Sequence, residues 1–475
     1  YGLDSIYKST NSGEDFTAVY GDKNLLGYAS DGNDNKGQGY YDLTIIADPN
    51  HADTVFVGGI NTWRSVDGGF SWEIVSHWVG DGVPTVHADK HAMEYQNGTS
   101  DLFEGNDGGI YRTTDNGETW EDLTNGMVIS QIYKLATAQS DTDIVINGLQ
   151  DNGTKLYHNG DWYDLIGGDG MKCMIDYTDA DIQYGTLYYG EIKRTTDMWS
   201  SRTDITPSGA ADGAWVTPFA MHPDNPETIY GGYADLWKST DKGNNWSKIS
   251  DVNSNYYKLR SIAISESNPD YIYIADLKNI WRTEDGGENW TNITAGLPVS
   301  SAAITNIEVH FSDPDNVWVS MGGYDNNNVY ESIDGGNTWS NVSAGLPDLP
   351  VLDVIQDNSS FDSVVLYAGT DVGAYKKVDD ADWINFSNQL PNVIVNDLDI
   401  YYDKTEGKNV LRAATYGRGL WETPIPNSSF VANPSVVKTE AFVNSTEIKW
   451  NLNTNNDTIL LANSADGAFS SPSSS

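Results

Sequence analysis

Runs of four to seven residues in which apolar and polar side chains alternate recur along the chain, and no stretch keeps apolar residues at the spacing of a helix. The pattern is clearest between Leu259 and Ile293. Leu259 to Ser265 reads as an inner strand, Tyr271 to Ala275 as a second, Asn279 to Arg282 as a third, and Trp290 to Ile293 as an outer one. Between the third and outer strands stands Thr283-Glu284-Asp285-Gly286-Gly287-Glu288-Asn289-Trp290. The same phrase, Ser/Thr-x-Asp-x-Gly-x-Thr/Ser/Asn-Trp, occupies Ser65 to Trp72, Thr113 to Trp120, Ser239 to Trp246 and Ser332 to Trp339. Its parts have a mechanical reading: the Asp accepts backbone N–H groups of the turn, the Gly takes positive φ, and the Trp opens the next strand with a large ring to bury. The phrase therefore predicts a hairpin.

Each box follows an apolar or aromatic residue and usually a base, as in Trp63-Arg64, Tyr111-Arg112, Trp237-Lys238 and Trp281-Arg282. Degenerate relatives stand at Tyr7-Lys8, Tyr157-His158, Lys193-Arg194, Tyr330-Glu331, Tyr375-Lys376 and Trp421-Glu422. These anchors recur at spacings of about 36 to 56 residues, the length of one four-stranded propeller blade. The expected fold is all-β: a β-propeller of four-stranded blades with Asp-box hairpins over residues 1–426, either a single ring of about ten blades or two tandem propellers. In the tandem reading, preferred here, residues 1–125 are the tail of a first propeller and 126–426 a second. The first unit opens at a third strand, Leu3 to Ser9, so two inner strands are expected upstream. The last supplies Asp397 to Tyr402, Val410 to Thr415 and Leu420 to Pro424 and lacks an outer strand. Residues 427–475 turn to Asn, Ser and Thr. There, Thr446 to Trp450 and Thr458 to Leu461 alternate like the first strands of a β-sandwich.

The boxes resemble those of the Asp-box or BNR propellers found in sialidases, sortilin and the tandem-propeller glycosidases that cleave xyloglucan. The segment after 427 resembles the start of a fibronectin-type-III-like module. His87-Ala88-Asp89-Lys90-His91, Gly105-Asn106-Asp107-Gly108-Gly109, Gln150-Asp151-Asn152-Gly153 and Tyr416-Gly417-Arg418-Gly419 resemble phrases of large surface proteins of Bacteroidota, cargo of the type IX secretion route. That likeness implies a secreted or cell-surface protein. The boxes themselves imply a fold and leave the function open.

Composition narrows the partners. The chain of 475 residues carries 68 acidic against 27 basic side chains, a net charge of −41, which excludes nucleic acid because there is no basic surplus to displace counterions from phosphates. No apolar stretch reaches the roughly 18 residues of a membrane span. Cys173 is the single cysteine and sits in an apolar run, so it reads as core. Asn-x-Ser/Thr triplets such as those at Asn97 and Asn341 are discounted, because those at Asn245 and Asn289 are by-products of the box. No phosphate-binding glycine loop is present.

In a propeller the box hairpins lie on one rim, while second-to-third-strand loops and blade connections share the other. Candidates are read from that other rim. Two imidazoles and a carboxylate at His87, Asp89 and His91, spaced by two, are expected on one face of an inner strand, where they can hold a divalent metal such as zinc. The alternative is that they hydrogen-bond across a blade seam. Asp31, Asn33 and Asp34, or Asp325 to Asn328, suit calcium. Asp107, Asp151 and Asp169 are candidate acid, base or nucleophile of a glycosidase, which needs two carboxylates about the cleaved bond. Trp78, Asp81, Gln150, Glu191, Trp215, Asp371 and Arg418 are candidate ligand contacts, the tryptophans because flat rings stack on sugar faces. Of eight arginines, four stand before a box and no Arg-Ile-Pro phrase occurs, so sialidase chemistry is not expected. The expected function is a binding or adhesion module for a glycan or surface protein. The alternative is a glycoside hydrolase.

Overall fold

The computed structural model describes residues 2–325, 328–360, 362–387, 389–403 and 408–425, and the backbone of Lys438–Glu440 and Ile448–Lys449. The chain forms two compact units, Tyr1–Met127 and Val128–Ser475. Among the described residues there is no α-helix, and every sheet is antiparallel with its strands in chain order. The protein is an all-β propeller protein of four-stranded sheets.

The first unit holds a two-stranded ribbon, Ile6–Lys8 with Thr17–Tyr20, and two four-stranded sheets that begin at Thr44–Ala47 and Lys90–Tyr95. The second holds seven sheets, whose first strands are Ile132–Thr137, Gly170–Ile175, Phe219–His222, Ser261–Ile264, Ala303–Val309, Val351–Gln356 and Val395–Tyr401. The last sheet continues from Leu420–Pro424 to Lys438–Glu440 and Ile448–Lys449, so it has outer strands where the sequence reading expected none. The remainder of the sandwich-like segment, Thr458 to Leu461 included, lies outside the described residues.

Burial follows the strand order within a sheet. Second strands such as Ile272–Ala275 and Val365–Thr370 are buried throughout because sheets pack against both of their faces, whereas outer strands such as Thr291–Asn292 are exposed. Sheets of the second unit are joined in two layers. Near the centre, side chains of one first strand accept backbone N–H groups of the next: Ser261 Oγ from Ile307 at 3.2 Å, Glu308 Oε1 from Gln356 at 2.9 Å, and Asp353 Oδ2 from Leu398 at 2.7 Å. The last strand then returns to the first, with Asp397 and Asp399 accepting from Leu135 and Thr137 at 2.9 and 2.8 Å, which closes the ring.

At the outside, tryptophans that open the outer strands tie four of these sheets to their predecessors. Trp246, Trp290, Trp339 and Trp383 donate their indole N–H to Ile205, Ile249, Ile293 and Val342 carbonyls at 2.7–2.9 Å. The hairpins have the expected mechanics. Asp67 accepts from Ser65 Oγ, from the N–H groups of Phe70 and Ser71, and from Ser71 Oγ, and these bonds pull its carboxyl down to about 2. Thr195 to Arg202, read as degenerate, folds as a full box. Trp199, at φ 67°, takes the glycine position and donates its N–H to Thr195 Oγ1, while Arg202 replaces the tryptophan and donates to the Leu165 carbonyl at 2.5 Å. Cys173 is core, 1% exposed, and burial raises its thiol pKa.

Candidate functional site

Inside the second unit the first strands enter the ring through β-bulges. Register shifts between Ile132 and Lys134, Ile304 and Asn306, Val351 and Asp353, and Val395 and Asp397 each leave one residue out of the ladder. Those residues, Tyr133, Thr305, Leu352 and Asn396, all line a cavity of about 680 Å³. Its wall continues through residues of second-to-third-strand loops or their neighbours, Tyr324, Asp371 and Tyr416, and through Arg260 and Val216 from blade connections. The cavity thus opens on the rim opposite the boxes.

Beside it lies a group of aromatic rings. Trp215, 37% exposed, stacks on Tyr188, with centroids 5.4 Å apart and an 11° interplanar angle, and Tyr189 meets it edge-on at 5.3 Å. Backbone bonds between the two loops fix this geometry. Tyr189 N–H donates to the Trp215 carbonyl at 3.3 Å and Gly213 N–H to the Tyr189 carbonyl at 2.9 Å. Tyr189 itself stands at φ 63°, and Gly190 at φ 88° is where a Cβ would meet Tyr233 at 2.6 Å. The platform reaches the cavity through one hydrogen-bond chain: Trp215 Nε1–H donates to Tyr133 Oη at 3.2 Å, and Tyr133 donates to Gln150 Oε1 at 2.9 Å, which also accepts from Tyr416. An exposed, prearranged set of ring faces next to a polar-edged cavity is suited to a ligand with alternating flat apolar faces and hydroxyl edges.

The candidate residues of this unit separate accordingly. Gln150 and Trp215 belong to the network. Asp371 lines the cavity, where burial raises its carboxyl pKa against a hydrogen bond with Tyr324. Asp169 Oδ1 accepts the N–H of Asp151 at 2.8 Å, and Asp151 holds φ 56°. Glu191 is paired with Lys193 at 2.6 Å on its own sheet. Arg418 is exposed and donates to the Gly417 carbonyl at 2.8 Å, so within its phrase the inward contact is made by Tyr416.

The first unit carries the remaining candidates. The expectation that His87, Asp89 and His91 share one strand face does not hold. The strand begins only at Lys90, Asp89 has φ 62°, and a bulge separates Lys90 from Ala92, so the two-residue repeat is broken. Instead, His91 Nε2 lies 2.7 Å from Asp107 Oδ1 and Tyr41 donates to Asp107 Oδ2 at 2.8 Å. Gln38 donates to Asp89 Oδ1 at 3.0 Å, and a carboxylate oxygen of Asp89 lies within 4.8 Å of one of Asp107. Asp42 is fully buried beside Asp89, and burial together with that neighbour pushes its carboxyl up to about 7. The result is a carboxylate cluster beside His87. Lys90 and Glu104 form a buried pair next to it at 3.8 Å. Trp78, 44% exposed, and Asp81, bonded by Ser30, sit in a separate loop of this unit. Of the calcium candidates, Asp34 spends its carboxylate on the N–H groups of Tyr28 and Ala29 at 2.7 and 2.8 Å.

Sequence reading missed Tyr133, Tyr188, Tyr189, Tyr324 and Arg260 in the second unit and Asp42 in the first. The tyrosines were visible as Tyr188-Tyr189-Gly190 between two strands. What brings them to Trp215 is a positive φ at a non-glycine residue, which composition does not reveal.

Residues 234–360 match the family model Sortilin-Vps10, described as sortilin, neurotensin receptor 3; the match spans about a quarter of the chain. No curated protein matches. Among solved structures, the GH74 enzyme of Niastella koreensis aligns over 94% of this chain and 78% of its own at 12% identity and TM-score 0.37. YCF48 bound to D1 peptide aligns over 64% and 95% at 13% identity and TM-score 0.45, and YCF48 from Cyanidioschyzon merolae over 62% and 96% at 12% identity and TM-score 0.46. With the sheet order and the Asp-box hairpins described above, the chain is a β-propeller protein with repeats of the Asp-box type.

Proposed function

We propose that the protein is a secreted or cell-surface binding module and that the rim of its second unit captures a glycan. A single observation carries the reading: the Trp215–Tyr188–Tyr189 platform is exposed, held by backbone bonds between its two loops, and wired through Tyr133 to the cavity. Aromatic rings left exposed need an explanation only when they cluster, and this cluster is ordered before any ligand arrives, which lowers the entropic cost of binding. In this reading the boundary expected at 125/126 separates two propellers, the second holding the seven sheets that follow. Gel retardation of the 475-residue chain in a panel of polysaccharides tests it. Trp215→Ala, with unchanged circular dichroism, is expected to weaken retardation about tenfold. Failure of every polysaccharide to retard the protein, together with specific capture of a protein ligand, would replace the glycan by the protein alternative.

A second reading, glycoside hydrolysis, is favoured by one feature of the same rim: Asp151 is held at positive φ by the carboxylate of Asp169. Release of reducing ends from a retained polysaccharide, abolished in Asp151→Asn, would establish it.

A further inference from the structure

Building on the glycan reading of this rim, we propose that Arg260 receives the carboxylate of a uronic acid unit, so that the ligand is an acidic polysaccharide. Seven of the eight arginine side chains have a partner. Arg64, Arg112, Arg282 and Arg412 pair with carboxylates, while Arg194, Arg202 and Arg418 donate to backbone carbonyls. Arg260 differs. Among the described residues its guanidinium makes no ion pair and no hydrogen bond, whereas Arg112, Arg194 and Arg282, whose Nε is likewise buried without an acceptor, each donate through a terminal nitrogen. In a chain with 68 acidic side chains, a half-buried guanidinium with neither a carboxylate nor a carbonyl partner is unexpected.

Its surroundings define what it can take. Arg260 lines the 680 Å³ cavity reached by the aromatic platform. The acid whose charge acts on it is Asp276, whose oxygens are already engaged by Ser254 Oγ at 2.6 Å and by the N–H groups of Lys278 and Asn279, both at 2.7 Å. Lys134, the other cation of the cavity, is neutralised by Asp397 at 2.8 Å. Asp371, the acid in the wall, is engaged with Tyr324. One flat guanidinium with no second free cation fits a carboxylate monoanion, accepted edge-on through two parallel bonds, better than a dianionic phosphate. A carboxylate attached to a pyranose ring would let its neighbouring units continue over Tyr133 onto Trp215 and Tyr188.

Bulk electrostatics oppose this preference, since a net charge of −41 repels any polyanion. Acid selectivity therefore reports the local site. The test is isothermal titration of the 475-residue chain, at one ionic strength, with tetragalacturonate and with the same oligosaccharide as its methyl ester. Wild type is expected to bind the acid at least tenfold more tightly than the ester. Arg260→Gln should lose that tenfold and keep its affinity for the ester, and Arg260→Lys should retain part of it. Circular dichroism and the melting temperature verify that both variants fold. Equal binding of acid and ester, or an acid preference that survives in Arg260→Gln, overturns the proposal while the glycan reading stands. Binding of neither oligosaccharide, nor of any neutral glycan, removes both. Arg260-dependent binding of short peptides through their free C-terminal carboxylate, in place of sugars, would assign the arginine to a different ligand.

Discussion

At the scale of single residues, the seams of the second unit use hydrogen bonds that can be deleted one at a time. Trp290→Phe keeps the buried ring and removes only the N–H that reaches the Ile249 carbonyl at 2.8 Å. The expected cost is about 1 kcal/mol, read as a lowered urea midpoint with an unchanged slope. Glu308 offers a test of sign. Burial, with Asp353 and Glu266 pushing the same way, raises its carboxyl from the ordinary 4.5 to about 8. The folded state therefore holds a proton that the unfolded chain has released, and stability falls as pH rises from about 4.5 through 8. Asp353 and Asp399, raised to about 6, add to the fall at its lower end and Asp42, raised to about 7, adds within it, so only the part of the fall removed in Glu308→Gln belongs to Glu308. The gap between urea midpoints at pH 6 and 8 should narrow in Glu308→Gln, Glu308 itself contributing up to about 1.4 kcal/mol per pH unit. Midpoints that fall equally in the variant would mean the slope belongs to another group.

At the scale of elements, strands and hairpins were legible in the sequence because each rests on local chemistry. Alternation marks the strands, and Asp, Gly and Trp at fixed offsets mark the boxes. Two kinds of local structure were not legible. The sixth box escaped because Met198 and Trp199, at φ 49° and 67°, do what glycine does elsewhere, and Arg202 does what tryptophan does. The bulges escaped because a one-residue slip leaves no mark on composition, yet it turns Tyr133, Thr305, Leu352 and Asn396 toward the cavity and ruins the expected alignment of His87, Asp89 and His91. The Tyr188–Gly190 turn shows the same principle in a loop. Tyr189→Gly should relieve its positive φ and stabilise the fold by up to about 1 kcal/mol, offset in part by the lost ring packing, while weakening capture of any glycan bound on Trp215. A thermal melt and the retardation assay, run on one preparation, read both effects. A variant that melts lower than wild type would show that the ring's packing outweighs the strain.

At the scale of the second unit, one seam differs from the rest in what it joins. Asp353 bonds Leu398, 45 residues away, whereas Asp397 bonds Leu135 across 262 residues and so carries the loop-closure entropy of the whole ring. The same carboxylate neutralises Lys134 at 2.8 Å, and Ile132, Leu135, Ala414 and Leu420 pack together behind it. Asp397→Ala removes all of its polar bonds at once and leaves Lys134 without a counter-ion, which should cost about 3 kcal/mol or more. The distribution of the damage is more informative than its size. Sheets that contact mainly their neighbours lose stability first where a seam is cut. Amide hydrogen exchange in Asp397→Ala should therefore accelerate in Ile132–Thr137 and Val395–Tyr401 together, while Ser261–Ile264 and Ile272–Ala275, on the far side of the ring, keep wild-type protection. Even acceleration through all seven sheets would show instead that the unit opens only as a whole, with closure distributed over every seam.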